Sequence, residues 1–588
     1  MIRCRGLGAS GGIGVGPAYV TEVRVSVLER RISEQERDGE LARLAAALDS
    51  AEQQLGRLRR QLRNEGGTAL DLVELHRGIL RSPELAGEAN RLVKDERFAP
   101  EWAVTLALER IRATFARLDD PYFRARVADF DSAADRVLRV LIGLPELSSE
   151  SNTARGAIAV GVDVGPLDLL AFRRSGVVAV VSESGGKTSH TAIIARAFGL
   201  PYVTGTEGIT TKVRPGDAMI VDGTRGEVII NPDDETLRAY RARSDRARDR
   251  ERQMAASRGL PSITTDGVAV HLGANVESLE GVAAAVAAGA ESIGLFRTEF
   301  LYLERPDLPS EEEQFNDARA ALLAAQGRPI TFRTLDLGAD KMPPSVKIPP
   351  GRNPALGIRS ARFSLLKPEI LKRQLRALYR ASSLGPVRIM FPLVSGIGEL
   401  KQLRAVRDAV CAELHDEGAA FDGAAPLGVM IETPSAALTA DHLARRCDFL
   451  SVGTNDLIQY AFAADRENGD VAHLHQPLHP AVLRTLNAVV QMAAAAGVPI
   501  SICGDMAGDP FLTWVLIGLG FRELSMDRDR IPLVKGVVRG SSLAEAEAFA
   551  REALEMDDED QVAERLQGLL EGRFPTELEE FLPRPARP

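Results

Sequence analysis

Chemistry in this 588-residue chain starts from a histidine. The stretch Ser182-Glu183-Ser184-Gly185-Gly186-Lys187-Thr188-Ser189-His190-Thr191-Ala192-Ile193-Ile194-Ala195-Arg196 follows a strand-like run, Val177 to Val181. It leads into an apolar helical pattern stopped by Gly199 and Pro201. Two glycines allow a tight turn, Thr188 or Ser189 can cap the helix, and His190 is predicted in the first turn beside free amides. A negative group on that imidazole would be favoured there. The bland alternative is a strand-to-helix turn with an incidental histidine.

A second set of reactive types recurs in the C-terminal half: Arg297, Arg333, Asp336, Arg359, Glu432, Asn455, Asp456, Arg466 and Cys503. Converging arginines need an anion, and a guanidinium fork matches carboxylate or phosphate oxygens bidentately. Glu432 and Asp456 are hard oxygen ligands of the kind that suit Mg2+, which completes its shell with water and substrate phosphate. Cys503 lies near these charges, where a thiol can exchange a proton. Anion, metal and acid together describe a small phosphorylated carboxylic acid that loses its phosphoryl group.

These residues must be positioned by elements, and from Val268 onward strand-like runs alternate with helical ones. The strands are predicted at His271 to Val276, Ile293 to Thr298, Ile330 to Leu337, Arg388 to Val394, Gly428 to Thr433, Phe449 to Thr454, Ile500 to Cys503 and Glu523 to Met526. This predicts a (β/α)8 TIM barrel over 263–588, whose reactive groups belong at the C-terminal strand ends. Arg297, Arg333, Asp336, Glu432, Asn455, Asp456 and Cys503 stand at or just past such an end. Singly each is an ordinary surface charge, an account that explains their shared placement poorly.

The N-terminal half predicts an α/β multidomain arrangement. Residues 1–20 read as a glycine-rich strand segment, and short apolar strands resume after Pro145, so 1–20 and 148–232 form one small α/β domain carrying His190. Between them, leucines at helical spacing through Leu41, Leu44, Leu48 and Leu55 mark an inserted helical subdomain, 21–147. Residues 233–262 are dense in Arg and Asp and predict a solvent-bridging linker helix. Length alone also asks for several domains.

Net charge is -10, which disfavours a general nucleic-acid or anionic-membrane role. Cys4, Cys411, Cys447 and Cys503 show no paired or metal-type spacing, as in a reducing compartment, so the cytoplasm is expected. No apolar run is long enough to span a bilayer, and no membrane insertion is expected.

Gly186-Lys187-Thr188-Ser189-His190-Thr191-Ala192-Ile193-Ile194-Ala195-Arg196 resembles the phosphohistidine signature of the phosphoenolpyruvate-utilising enzymes. Gly294 to Leu301, Phe332 to Lys341, Asn353 to Arg359, Met430 to Pro434, Ser451 to Leu457, Asp465-Arg466 and Cys503 to Asp509 resemble Enzyme I of the bacterial phosphotransferase system, from Gly6 to about Leu582. That resemblance implies phosphoryl transfer from phosphoenolpyruvate to Nε2 of His190, then to a histidine of an HPr-like phosphocarrier protein. It further implies that Arg297, Arg333, Asn455, Asp456 and Arg466 bind phosphoenolpyruvate with Arg359 and Lys341, that Glu432 and Asp456 hold Mg2+, and that Cys503 protonates the enolate. A homodimer through the barrel is a family expectation. Because His190 must visit two partners, the linker is expected to let its domain swivel.

Departures from the family pattern are local. Asp163-Val164-Gly165-Pro166-Leu167-Asp168-Leu169 stands where relatives carry Thr-Pro-Ser-x-Thr, so Leu169 replaces a hydroxyl near His190. Lys187 replaces an arginine, and Leu75 to Leu85 resembles the HPr-docking hairpin with fewer acids. Alternatives are an enzyme of the nitrogen-type branch, a pyruvate phosphate dikinase or phosphoenolpyruvate synthase without its nucleotide domain, and a regulatory binding protein whose catalytic apparatus has decayed.

Overall fold

The computed structural model describes residues 1–21, 27–62, 67–115, 121–143, 154–186, 189–303, 305, 307–338, 346, 353–466, 468, 470–574 and 578. The chain forms two compact units, Met1–Asp249 and Arg250–Pro588.

The first unit is built on one sheet. Its opening segment is three strands rather than one, β1 (Ile2–Arg5), β2 (Leu7–Ser10) and β3 (Ile13–Val20). The breaks fall at Gly6 and at Gly11-Gly12, where Gly12 has φ +104. The chain then leaves the sheet for α1 (Arg37–Leu62), α2 (Gly67–Leu80), a π-helical turn (Pro83–Gly87), α3 (Glu88–Glu96), α4 (Pro100–Phe115) and α5 (Pro121–Leu141). Leu44, Leu55, Leu92, Val104 and Val137 bury between them, Leu44 and Leu55 at the spacing that predicted the insert.

The sheet resumes with β4 (Ile158–Gly161), α6 (Pro166–Arg174), β5 (Ala179–Ser182), α7 (His190–Ala197), β6 (Tyr202–Thr204), α8 (Ile209–Lys212), β7 (Ala218–Asp222) and β8 (Glu227–Ile230). Strand order is β1-β8-β7-β3-β4-β5-β6-β2. β3 pairs parallel with β4, so the helical insert occupies the crossover between two neighbouring parallel strands. β4 and β5 are buried along their whole length, as strands covered on both faces must be.

α9 (Asp234–Ser257) carries the chain across the division between the units. It is not solvated all round: Leu237 and Tyr240 pack on Ile220 and Ile229 of the sheet, and Arg243 Nη1 lies 3.0 Å from the buried Asp222.

The second unit is a closed, parallel barrel of β9 (His271–Val276), β10 (Ser292–Arg297), β11 (Ile330–Arg333), β12 (Val387–Phe391), β13 (Leu427–Ile431), β14 (Phe449–Val452), β15 (Ile500–Ile502) and β16 (Glu523–Met526). β16 pairs with β9 to close the ring. Where expected and observed strands differ, the structure ends them earlier, because the rim residues turn out of the ladder into loops. Among the described residues no helix is long and apolar enough to cross a membrane.

Candidate active site

In the first unit the histidine turn is set by its neighbours. Ser189 caps α7, its side chain accepting from Ala192 N at 3.2 Å, and His190 is the first helical residue. The His190 side chain lies outside the described residues, as do Lys187 and Thr188. Below the turn is a buried group of hydroxyls. Ser182 Oγ is 2.7 Å from Tyr202 Oη and 3.0 Å from Thr204 Oγ1, and Ser182 and Thr204 both donate to Ser184 O at 2.7 Å. Gly185 has φ +125, and a Cβ there would meet Thr204 Oγ1 at 2.5 Å, so this turn demands glycine. Thr191 Oγ1 donates to Val164 O at 3.1 Å, joining α7 to the segment before α6. Leu169, where the family pattern has a hydroxyl, is wholly buried in the apolar core of α6.

In the second unit a cavity of about 390 Å3 opens at the C-terminal ends of the strands. Arg297, Arg333, Arg359, Glu432, Asn455, Asp456, Arg466 and Cys503 all line it. Lys341, expected there too, lies outside the described residues. Arg297 and Arg333 are the last residues of β10 and β11, Glu432 and Cys503 follow β13 and β15 directly, and Asn455 and Asp456 open a helix, Thr454–Phe462. Arg359 arrives from the long connection after β11, bridged to Gly338.

The guanidiniums are held by carboxylates. Arg333 is paired with Asp336 at 2.8 Å and Glu299 at 3.0 Å, and Arg359 with Asp336 at 2.9 Å and Asp456 at 3.2 Å. Arg297 pairs with Glu277, and Arg466 reaches within 3.9 Å of Asp456. Burial disfavours the Arg333 charge, but Asp336 and Glu299 outweigh it and raise its pKa. Burial likewise opposes the Asp336 carboxylate, yet Arg333 and Arg359 hold it well below the usual range. Arg297 Nε, Arg333 Nε and Glu299 Oε2 are buried with no hydrogen-bond partner among the described residues. Such atoms in a cavity wall are a reserve of binding capacity.

Glu432 is buried, and its Oε1 accepts from Leu393 N. Burial, then Asp336 and Asp456, push its carboxyl up to about 8. A Cβ on Gly453 would lie 2.9 Å from Glu432 Oε2, so the glycine leaves space beside that oxygen. A buried carboxyl crowded by two others fits a divalent cation, which would relieve the same repulsion that now favours a proton. Among the described residues no cluster of three or more His, Cys, Asp or Glu side chains is arranged to hold a metal. Two protein oxygens plus substrate and water is the set the residues fit.

Cys503 is buried. Ser451 Oγ donates to its sulfur at 3.4 Å, and burial pushes its thiol up to about 11. It therefore stands protonated at neutral pH, the state a proton donor needs. Asn455 Oδ1 accepts from Asp505 N at 2.9 Å, fixing its amide.

Sequence reasoning missed Glu299. It lies inside a quoted motif, but its approach to Arg333 and to Asp336 N, 2.9 Å away, is made by tertiary folding. Tyr202 and Thr204 were legible as strand residues only.

Three family descriptions match in order along the chain: PEP-utilising enzyme, N-terminal, residues 5–126; PEP-utilising enzyme, mobile domain, 153–226; and PEP-utilising enzyme, PEP-binding domain, 251–543. An NMR solution structure of Enzyme I is 28% identical, covering 41% of this chain and 98% of that one, with a TM-score of 0.36. The phosphoenolpyruvate-protein phosphotransferase of Priestia megaterium is 36% identical over 95% of this chain and 98% of its own. That of Cupriavidus necator is 38% identical over 96% of this chain and 98% of its own. With likeness running through both units, the histidine turn and the arginine-lined rim alike, the chain belongs to the phosphoenolpyruvate-protein phosphotransferase family.

Proposed function

We propose that the chain takes the phosphoryl group of phosphoenolpyruvate onto His190 and passes it to a histidine of an HPr-like phosphocarrier protein, the first step of a sugar phosphotransferase system. The observation that carries this is the rim cavity, where four guanidiniums, five carboxyl groups, Glu432 and Asp456 among them, and a protonated thiol meet around space for one small molecule. Arg297, Arg333 and Arg466 bind phosphate and carboxylate oxygens, with Asn455, Arg359 and Lys341 assisting. Glu432 and Asp456 hold the divalent cation, which we take to be Mg2+. When bound, it neutralises charge on the phosphoryl and carboxylate oxygens.

The imidazole nitrogen of His190 attacks phosphorus as the bond from phosphorus to the enol oxygen breaks. The electron pair leaves as the enolate of pyruvate, and the Cys503 thiol gives its proton to the terminal carbon, forming pyruvate and a thiolate that solvent reprotonates. Fixed charges around the transferring group do most of the work, because the arginines are already oriented by Glu299, Asp336 and Asp456. A histidine serving both a donor and a carrier must travel, so we assign 1–20 and 148–232 to a swivelling domain, 21–147 to carrier docking, 233–262 to the linker and 263–588 to phosphoenolpyruvate binding. The end of α2 and the turn at Ser82, with exposed Arg81 and Glu84, offer the carrier a face of mixed charge. All four cysteines are free, which supports action in the cytoplasm.

The test is incubation of the full chain with phosphorus-labelled phosphoenolpyruvate and Mg2+. The expected outcome is acid-labile, base-stable label on His190, discharged by an HPr-like carrier and lost in His190→Ala. Label entering from ATP instead, or persisting in His190→Ala, overturns the proposal.

A further inference from the structure

A second cavity, of about 630 Å3, lies at the other end of the barrel strands. His271 begins β9, Glu291 precedes β10, Arg328 precedes β11 and Arg522 precedes β16, so these residues mark the N-terminal ends. One wall is the chain segment entering the barrel, Arg258 to Ile263.

Its charges do not balance. Arg258, Arg328, Arg522, Lys535 and His271 line it, against Glu291 as the one carboxylate among the described lining residues. Glu291 is already engaged, 3.0 Å from His271 Nδ1 and accepting from Ser262 Oγ at 3.0 Å. Lys535 is 2% exposed, and its Nζ donates to Arg258 O at 2.9 Å and Leu260 O at 3.0 Å. Arg522 Nη1 donates to Ile517 O and Phe521 O, and its carboxylate neighbour, Glu547, stands 3.6 Å away. Arg328 Nε donates to Ala290 O at 3.0 Å. Carbonyls satisfy donors but do not neutralise charge, so among the described residues Lys535 is buried without an ion-pair partner, while Arg328 and Arg522 are half-buried beside it and only Arg522 has a carboxylate, Glu547, in range. Burial accordingly pulls both Lys535 and Arg522 below their usual pKa. Capping helix ends explains why Arg328 and Arg522 are present; it does not explain why they share a hollow with Lys535.

We infer that this hollow is a binding site for a small organic anion, a carboxylate or a phosphate ester, whose charged group meets Arg522, Arg328 and Lys535. Leu260, Ile263 and Val286 supply an apolar wall for the organic body. Lys535 and Arg539 hold the entering segment by its carbonyls, Arg539 Nη1 donating to Pro261 O at 2.6 Å. Occupation therefore stiffens the place where the linker meets the barrel. This site does not depend on the assignment of the rim cavity.

The experiment uses the full chain with inorganic phosphate and with succinate as probes, reading tryptic cleavage between Arg258 and Gly259. Protection is expected at millimolar anion in the wild type and equally in Arg466→Ala, which alters the rim cavity. Arg522→Gln should need about tenfold more anion for the same protection, the loss of one charge-assisted contact. Should that variant melt early, Arg328→Gln is read in its place. Protection by phosphate alone or succinate alone supports the site and chooses between the two chemistries. Absence of protection with both probes, or a midpoint in Arg522→Gln or its substitute Arg328→Gln equal to that of the wild type, overturns the inference.

Discussion

The two halves of the chemistry are held in opposite ways. At the barrel rim, ion pairs fix the arginines in a partly enclosed cavity, Arg333 between Asp336 and Glu299 and Arg359 between Asp336 and Asp456. Under the histidine turn, neutral hydroxyls of Ser182, Tyr202 and Thr204 do the holding, with Gly185 closing the bend. The difference suits the two tasks. A donor site gains from charges that need no rearrangement when the transition state forms. A residue that carries charge between partners is better set in a frame held by neutral hydrogen bonds, which adds no ion pair that must break when the phosphoryl group arrives or leaves.

The largest effect is expected at Arg333. Arg333→Ala leaves Glu299 and Asp336 buried without their partner, so unfolding of the barrel unit should become easier by about 3–5 kcal/mol. Phosphoenolpyruvate-dependent labelling should fall about a hundred- to a thousandfold. Urea unfolding and initial labelling rates check both; a loss below about 1 kcal/mol would mean that the ion pairs do not hold the rim.

The barrel's buried thiols supply a second check. Burial pushes Cys503 up to about 11 and Cys447 up to about 12. Raised folded-state values mean stability fully present below the unfolded pKa and lost as pH climbs toward the folded one. Between pH 9 and 10 each thiol should therefore cost about 1 kcal/mol. Urea midpoints of the wild type and Cys447→Ala at the two pH values measure it, with the variant expected to lose less.

The smallest effect is expected in the hydroxyl frame. Tyr202→Phe removes one hydrogen bond from Ser182, a loss of about 1 kcal/mol. His190 labelling should slow several-fold in kcat with KM for phosphoenolpyruvate unchanged, since the rim is untouched. A rise in KM at constant kcat would break the division of labour drawn here.

Much of this arrangement was legible in the amino-acid order because short-period patterns encode it. The alternation of apolar strands and amphipathic helices after Val268 predicts the barrel, and reactive types at the ends of those runs predict the rim. Ser189 as a cap and His190 in the first turn follow from local rules. What escaped is long-range. Glu299 touches Arg333 only because β10 and β11 are neighbours. Tyr202 and Thr204 look like ordinary strand residues until β6 is laid beside β5. Leu169 drew notice as a missing hydroxyl, and in the fold it is core. α9 read as solvated because two apolar residues, Leu237 and Tyr240, are too few to show a face in so charged a helix.

The placement of the helical insert carries a consequence for synthesis. β3 ends at Val20 and its parallel partner β4 starts at Ile158, so the ribosome must deliver every helix between them before the pair can zip. Were that stretch a loose coil, closing it would carry a large entropic penalty that grows with the logarithm of its length. With its own core of leucines and alanines, the insert can condense first and bring its two ends close together. The N-terminal strands are thus made early yet paired late, and a nascent chain halted near residue 150 should hold a folded helical bundle trailing unpaired strands.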